Sequence, residues 1–339
     1  MTPRRNPPLA AFLLAALPAA LSIATAPAHG QEQATRRASA PTQKVIFDTD
    51  IGDDIDDVFA LGLVLNSPEL NVLGVTSAWG DTELRARLLQ RFLHETGHGN
   101  VPVSMGRRTT PAADAPFTQA AWAQRMPPPK NPLPSAVDFI LDQIRKYPGE
   151  ITLISVAPLT NIGDLLDRDP VAFHKLKRVI IMGGSVRKGY GDLGYKPDHG
   201  PDPEYNIRLD IPAAKKLFTS GISLVVLPLD STQLKLDEMK RAALFSADTP
   251  LTNATTTLYE QWTYSTNNPT PTLFDVLAAE QAVDPATCPA EPMLLTVDDQ
   301  GYTREGKAPE QNHPNVLVCL HANEERVFSL LMERLTVSK

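Results

Sequence analysis

Lys44–Leu61 reads K-V-I-F-D-T-D-I-G-D-D-I-D-D-V-F-A-L, an apolar run that delivers six aspartates within ten residues. Val45, Ile46 and Phe47 are β-branched or aromatic and predict a buried strand. Gly52 permits a sharp turn, and Val58, Leu61 and Leu65 recur at helical spacing. Asp48, Asp50, Asp53, Asp54, Asp56 and Asp57 are thereby crowded into a strand-to-helix turn, where open α/β sheets bind ligands. Carboxylates at that density repel one another, and a hard cation such as Ca²⁺ or Mg²⁺, which takes oxygen ligands, offsets the repulsion. A solvated acidic turn with one aspartate capping the helix accounts for one or two of these residues, not for six behind a buried strand.

Outward from this turn, apolar strand patterns alternate with helical ones. Strands are expected over Asn71–Ser77, Val101–Met105, Ile151–Val156, Val179–Met182 and Leu224–Leu227, and helices over Thr82–Thr96, Ala136–Lys146, Asp210–Ser220 and from Leu159 to Leu166. That alternation predicts an α/β fold: a single domain, residues 44–339, with a central mostly parallel β-sheet covered by helices on both faces. Residues 107–134 form a long Pro- and Ala-rich connection, which in a compact domain is a functional flap or an excursion.

The ends and the charge set limits on partners and compartment. Arg4 and Arg5 precede the apolar run Leu9–Ile23 and small-residue cleavage sites at Ala26 and Ala28, the layout of a signal peptide over residues 1–28. Residues 29–43 then form a flexible tail, and the protein is expected to be exported, periplasmic or secreted. The leader is too short and too interrupted by Pro18 for a membrane span, so no membrane association is expected of the mature form. A formal net charge of -7 and the lack of a basic cluster argue against nucleic acid as a partner. Cys288 and Cys319 are the only cysteines. Export permits a disulfide between them, and two buried thiols are the alternative.

Four further segments carry chemistry. Pro158-Leu-Thr160-Asn161-Ile162 ends a strand and opens a helix, and Met182-Gly183-Gly184 lets backbone approach a ligand. Glu204-Tyr205-Asn206 offers an acceptor and an amide suited to sugar hydroxyls. Phe274-Asp275 sets one acid before an apolar stretch. Each alone reads equally as a helix cap or a tight turn.

In this order, with the D-T-D-x-G-x-D-x-D-D start, P-L-T-N-I, E-x-N and F-D, the chain resembles the inosine-uridine-preferring nucleoside hydrolases over roughly residues 44–335. The resemblance implies hydrolysis of the N-glycosidic bond of a small-molecule ribonucleoside, with Ca²⁺ at the C-terminal edge of the sheet. Asp50, Asp57 and Asp275 match its carboxylate ligands, Thr160 would contribute its carbonyl, and Asp50 also matches the general base. Asp56, Glu204 and Asn206 match residues that grip the ribose, and Asp48 a supporting acid. Asp81 stands where many relatives carry a hydroxyl-binding Asn. Phe274 replaces a histidine that in many members protonates the leaving base, and a benzyl group cannot do that. The aromatic residues Tyr259, Trp262 and Tyr264 are candidates for stacking on a base. Asp54 competes with Asp57 as metal ligand, because the common motif has two fewer residues here, and the insertion Arg187–Asp202 blurs where a further ribose-binding Asn of the family falls. Homo-oligomers, dimer or tetramer, are compatible with this reading. Two other readings remain: a phosphatase of the haloacid-dehalogenase type, from Asp48-Thr-Asp50, and a catalytically inactive nucleoside- or ribose-binding protein, from Phe274.

Overall fold

β1 (Gln43–Thr49) is flanked in parallel by β2 (Leu70–Ser77) and β4 (Ile151–Ser155). With neighbours on both edges and helices on both faces, successive side chains of β1 enter different cores: Val45 and Phe47 pack in one layer, Ile46 in the other. This two-sided burial explains why the strand is a continuous apolar run and not an alternating one. The computed structural model describes residues 42–109, 117–129, 131–191, 199–306 and 313–337. The signal peptide expected over 1–28 and the tail, save its last two residues, lie outside the described residues. Gln43 is already the first residue of β1.

Among the described residues the main sheet has eight strands. They run in the order β3 (Val103–Met105), β2, β1, β4, β5 (Arg178–Met182), β6 (Leu224–Leu227), β10 (Val316–Val318), β7 (Glu291–Met293). Every pairing is parallel except β10 with β7. The chain builds outward from β1 to β3, then returns to the other side of β1 and builds outward again from β4. This reversal leaves a crevice at the carboxyl ends of β1 and β4, the place where open parallel sheets hold ligands. β8 (Leu295–Val297) and β9 (Thr303–Glu305) form a separate antiparallel pair.

The Asp56–Asn66 helix is buried along its whole length. It packs against the Val276–Val283 and Glu324–Thr336 helices. The Ala136–Lys146, Thr160–Arg168 and Ile211–Thr219 helices cover the opposite face. Within the long connection, Phe117, Trp122 and Ala123 are buried and Ala120–Gln124 is helical, so residues 117–123 are packed structure. A disulfide joins Cys288 to Cys319, with Cα atoms 5.7 Å apart. The β7–β10 pairing, which sets Glu291 opposite Val318, brings the two together.

Candidate active site

β1 runs out at Thr49, and the chain turns at Gly52 with φ +129, where a Cβ would lie 2.7 Å from the Phe117 ring. Conformation and space both require glycine there. Ile51 and Ile55 are buried and pin the turn, Asp53 and Asp54 stay exposed, and Asp50, Asp56 and Asp57 are buried. The Ile51 N–H donates to the Thr49 hydroxyl at 3.0 Å, and that hydroxyl donates to Asp57. The packed connection braces the turn from outside, with Gln119 Nε2 donating to the Asp54 carbonyl at 2.8 Å and Gln119 N to the Gly52 carbonyl at 2.9 Å.

Arg85, buried on the Thr82–Glu95 helix, is the cation of this region. Its Nη1 donates to the carbonyls of Asp50 and of Ile51, the latter at 2.9 Å. Its Nε reaches the Trp79 carbonyl at 3.0 Å, and its guanidinium lies 5.0 Å from the centre of the Phe117 ring. Arg85 thus holds the main chain that presents the acids. Sequence reasoning missed it, although an arginine on the stripe Thr82, Arg85, Ala86, Leu89, Phe92 is a visible anomaly on a buried face.

Two helix N-termini meet over the crevice. Asp56 and Asp57 occupy the first turn of one, Asp275 the N-cap position of the other, and neither helix takes a side-chain cap bond. The capping explanation for Asp275 therefore fails. Carboxylate oxygens of Asp56, Asp57 and Asp275 lie within 4.8 Å of one another, all buried. The Asp275 N–H donates to Asp56 Oδ2 at 3.3 Å. Burial, and then the neighbouring acids, push all three carboxyls well above their ordinary range. Asp50 is raised to about 6 by burial, with Arg85 opposing. The partial positive charge of two helix N-termini offsets only part of this repulsion. Three buried carboxylates with so few protein donors suit a hard cation, so the residues present fit a metal ion.

Asp48, fully buried, accepts from Thr76 Oγ1 at 2.6 Å, Asn161 Nδ2 at 2.7 Å and Ser155 Oγ at 3.0 Å. Burial still raises its carboxyl above the usual range despite these bonds. It locks β1 to its two neighbours and to the Thr160 helix. Asn161 is thereby a structural link and not a cap. Thr160 opens that helix with its hydroxyl buried and unpartnered, and it does not line the cleft.

On the far wall Gly184, with φ +89, turns its N–H onto Glu204 Oε2 at 2.9 Å. Glu204 also accepts from Asn206 N at 2.9 Å and Ile207 N at 3.1 Å, capping the Tyr205–Arg208 turn. Burial nevertheless raises it to about 7. Asn206 Nδ2 donates to the Met182 carbonyl at 3.1 Å, which leaves its Oδ1 as the free acceptor.

These groups face one cleft of about 400 Å³. Asp50, Asp56, Asp57, Glu204, Asn206, Phe274 and Asp275 line it together, with Trp262, Tyr190 and Tyr205, and Asp53 and Asp54 at its edge. Tyr259 and Tyr264 are not among its lining residues. Asp81 stands apart: its carboxylate caps the Thr82 helix through Leu84 N at 3.0 Å and pairs with Arg108 at 3.3 Å. Asp81 is not among the residues that line the cleft. Tyr190 lies in the insertion and was not singled out. The phosphatase reading loses its footing, because Asp275 joins the acid cluster and no lysine lines the cleft among the described residues.

Comparison with known proteins agrees. The uridine nucleosidase 1 of Arabidopsis thaliana is 32% identical over 208 residues, 58% of this chain and 59% of its own length. Matches to a Schizosaccharomyces pombe protein and a probable uridine nucleosidase 2 of Arabidopsis thaliana likewise span 66% and 60% of those proteins. A pyrimidine-specific ribonucleoside hydrolase of Citrobacter koseri is 27% identical over 319 residues, 86% of this chain and 97% of its own. Among solved structures, a plant nucleoside hydrolase is 28% identical with a TM-score of 0.74, covering 88% of this chain and 100% of that one. Residues 45–329 match the family described as inosine-uridine preferring nucleoside hydrolase, and the chain belongs to that family.

Proposed function

We propose that the cleft hydrolyses the N-glycosidic bond of ribonucleosides to ribose and free base. The observation that carries this is the convergence of Asp50, Asp56, Asp57, Asp275, Glu204 and Asn206 on one crevice at the sheet's switch point. Cleaving this bond needs an activated water and an environment that tolerates positive charge at the anomeric carbon. Asp50, buried at the end of β1 with its carbonyl held by Arg85, is placed to take a proton from the attacking water. The surrounding carboxylates favour the oxocarbenium-like sugar. Asp56, Glu204 and the free Oδ1 of Asn206 accept from the ribose hydroxyls. Asp57 and Asp275, with Asp50, would hold the cation, which we assign as Ca²⁺ because Ca²⁺ accepts several protein carboxylates at one site where Mg²⁺ takes one or two. A bound divalent cation would polarise the attacking water, lower its pKa and orient the sugar.

Acceptors on the sugar side and aromatic rings on the base side make the ribose half selective and the base half permissive. Ribonucleosides and their 2′-deoxy counterparts, incubated with the protein and followed by chromatography of free base, test this. Release from uridine or inosine, with little from the deoxy forms, is expected, because a missing hydroxyl leaves buried acceptors unpaired. Equal rates on both refute the assignment of these residues. Binding of nucleoside with no base released would favour the inactive binding protein. The leader-like N-terminus and the Cys288–Cys319 disulfide support export, which we likewise propose.

A further inference from the structure

We propose that Tyr190 donates the hydrogen bond that stabilises the departing base, the task for which Phe274 has no polar atom. This rests on the hydrolase reading and deepens it. When the C1′–N bond breaks, its electron pair stays on the base, so the leaving side of the cleft needs a donor. The cleft is lined mainly by acceptors, and nearly every donor is already engaged. Thr118 donates to the Gly52 carbonyl at 3.2 Å and Thr266 to the Trp262 carbonyl at 2.8 Å. Asn206 Nδ2 serves Met182 at 3.1 Å, and the Trp262 indole is directed at the Asp54 carboxyl, which it helps keep ionised. Among the described lining residues the hydroxyls of Tyr190 and Tyr205 remain.

Of the two, Tyr190 is built into place. Its oxygen accepts from Tyr205 N at 3.0 Å, which leaves its own hydrogen free for a ligand. Its ring meets Phe274 edge-on, centroids 6.1 Å apart at 80°. Its backbone N–H is held by Asp202 at 2.9 Å, and the Gly189 carbonyl by Gln233 at 3.1 Å. Upstream, Asp230 accepts from the amides of Val186, Arg187 and Lys188 at 2.9, 2.8 and 3.2 Å. A loop residue fixed through its amide, its neighbour's carbonyl, its ring and its oxygen presents its hydroxyl to the cleft in one place. Tyr205, 36% exposed, lacks this frame. Burial, and then Glu204, also keep the Tyr190 phenol protonated well above neutral pH, so it is a donor throughout the working range.

The hydrogen bond strengthens as charge gathers on the base and needs no full transfer. The base then takes its proton from solvent, and the proton that Asp50 removes from water returns to solvent, which closes the balance.

The test compares kcat of the full chain, with Ca²⁺ supplied, on uridine and on a series of substituted phenyl ribosides that includes 4-nitrophenyl riboside, in the parent, Tyr190→Phe and Tyr205→Phe. Tyr190→Phe is expected to lower kcat on uridine by about 10²-fold or more and to change nitrophenyl riboside little, the size typical of a lost acid–base partner. The slope of log kcat against leaving-group acidity steepens in that variant. A variant damaged only in structure lowers every substrate by one factor with an unchanged slope, and that result overturns the proposal. So does a selective loss in Tyr205→Phe but not in Tyr190→Phe. A parent inactive on every substrate instead refutes the hydrolase reading and removes the proposal with it.

Discussion

Glu204→Gln separates the cost of a buried charge from the bonds that hold it. The carboxylate is 1% exposed and accepts three backbone N–H groups, yet burial raises it from 4.5 to about 7. The folded state therefore holds the proton more tightly than the unfolded chain. Its contribution to stability is fully present below 4.5 and is lost as pH rises through about 7. That displacement is worth about 3 kcal/mol on complete ionisation. Glutamine does not titrate, but at every pH it turns an NH₂ toward one of the three amide donors, a constant cost of about 1–3 kcal/mol. Urea unfolding of both proteins in a chelator, from pH 5 to pH 8, isolates the difference, since the other acids titrate in both. The stability advantage of parent over variant should shrink by about 2–3 kcal/mol across that range. Parallel pH dependences would show that Glu204 is not held protonated by burial, and the electrostatic account of that wall would fail.

Other expectations follow from the same geometry. Asp50→Asn should lower kcat by about 10³-fold with a smaller change in KM, read from saturation kinetics; a change in KM alone would contradict its role as base. Arg85→Met strips three carbonyls of their donor and should cost about 3–5 kcal/mol in urea unfolding. Replacing Cys288 and Cys319 by serine should lower stability by about 2–4 kcal/mol while leaving kcat at 25 °C intact. Mass spectrometry of the protein secreted from its host should find a mature chain starting just after Ala26 or Ala28; an intact chain from Met1 would refute export.

The acid turn was legible because its two halves have opposite signatures, a two-sided apolar strand and a fully buried helix, with only glycine able to join them. Asp275 was legible through motif resemblance alone, since its local pattern is that of a cap. At Asp81 a carboxylate after a strand and before a helix has two uses, and the structure shows the capping one, through Leu84 N with Arg108 beside it. Arg85 was hidden by attention to acids, although its place on a buried stripe betrays it. Tyr190 had no local signal: its position depends on Asp202, Gln233 and Asp230, which lie 12, 43 and 40 residues further along the chain. Likewise the 31-residue separation of the cysteines is silent, and it is the β7–β10 pairing that joins them.

The most direct measurement is a time course of free base and reducing sugar from uridine, taken on protein stripped of divalent cations, on the same protein after Ca²⁺ is restored, and on untreated protein. Equimolar base and ribose from the untreated and restored samples, with neither from the stripped one, is the predicted result. Full activity in protein shown to be free of metal, or no base under any condition, would contradict it.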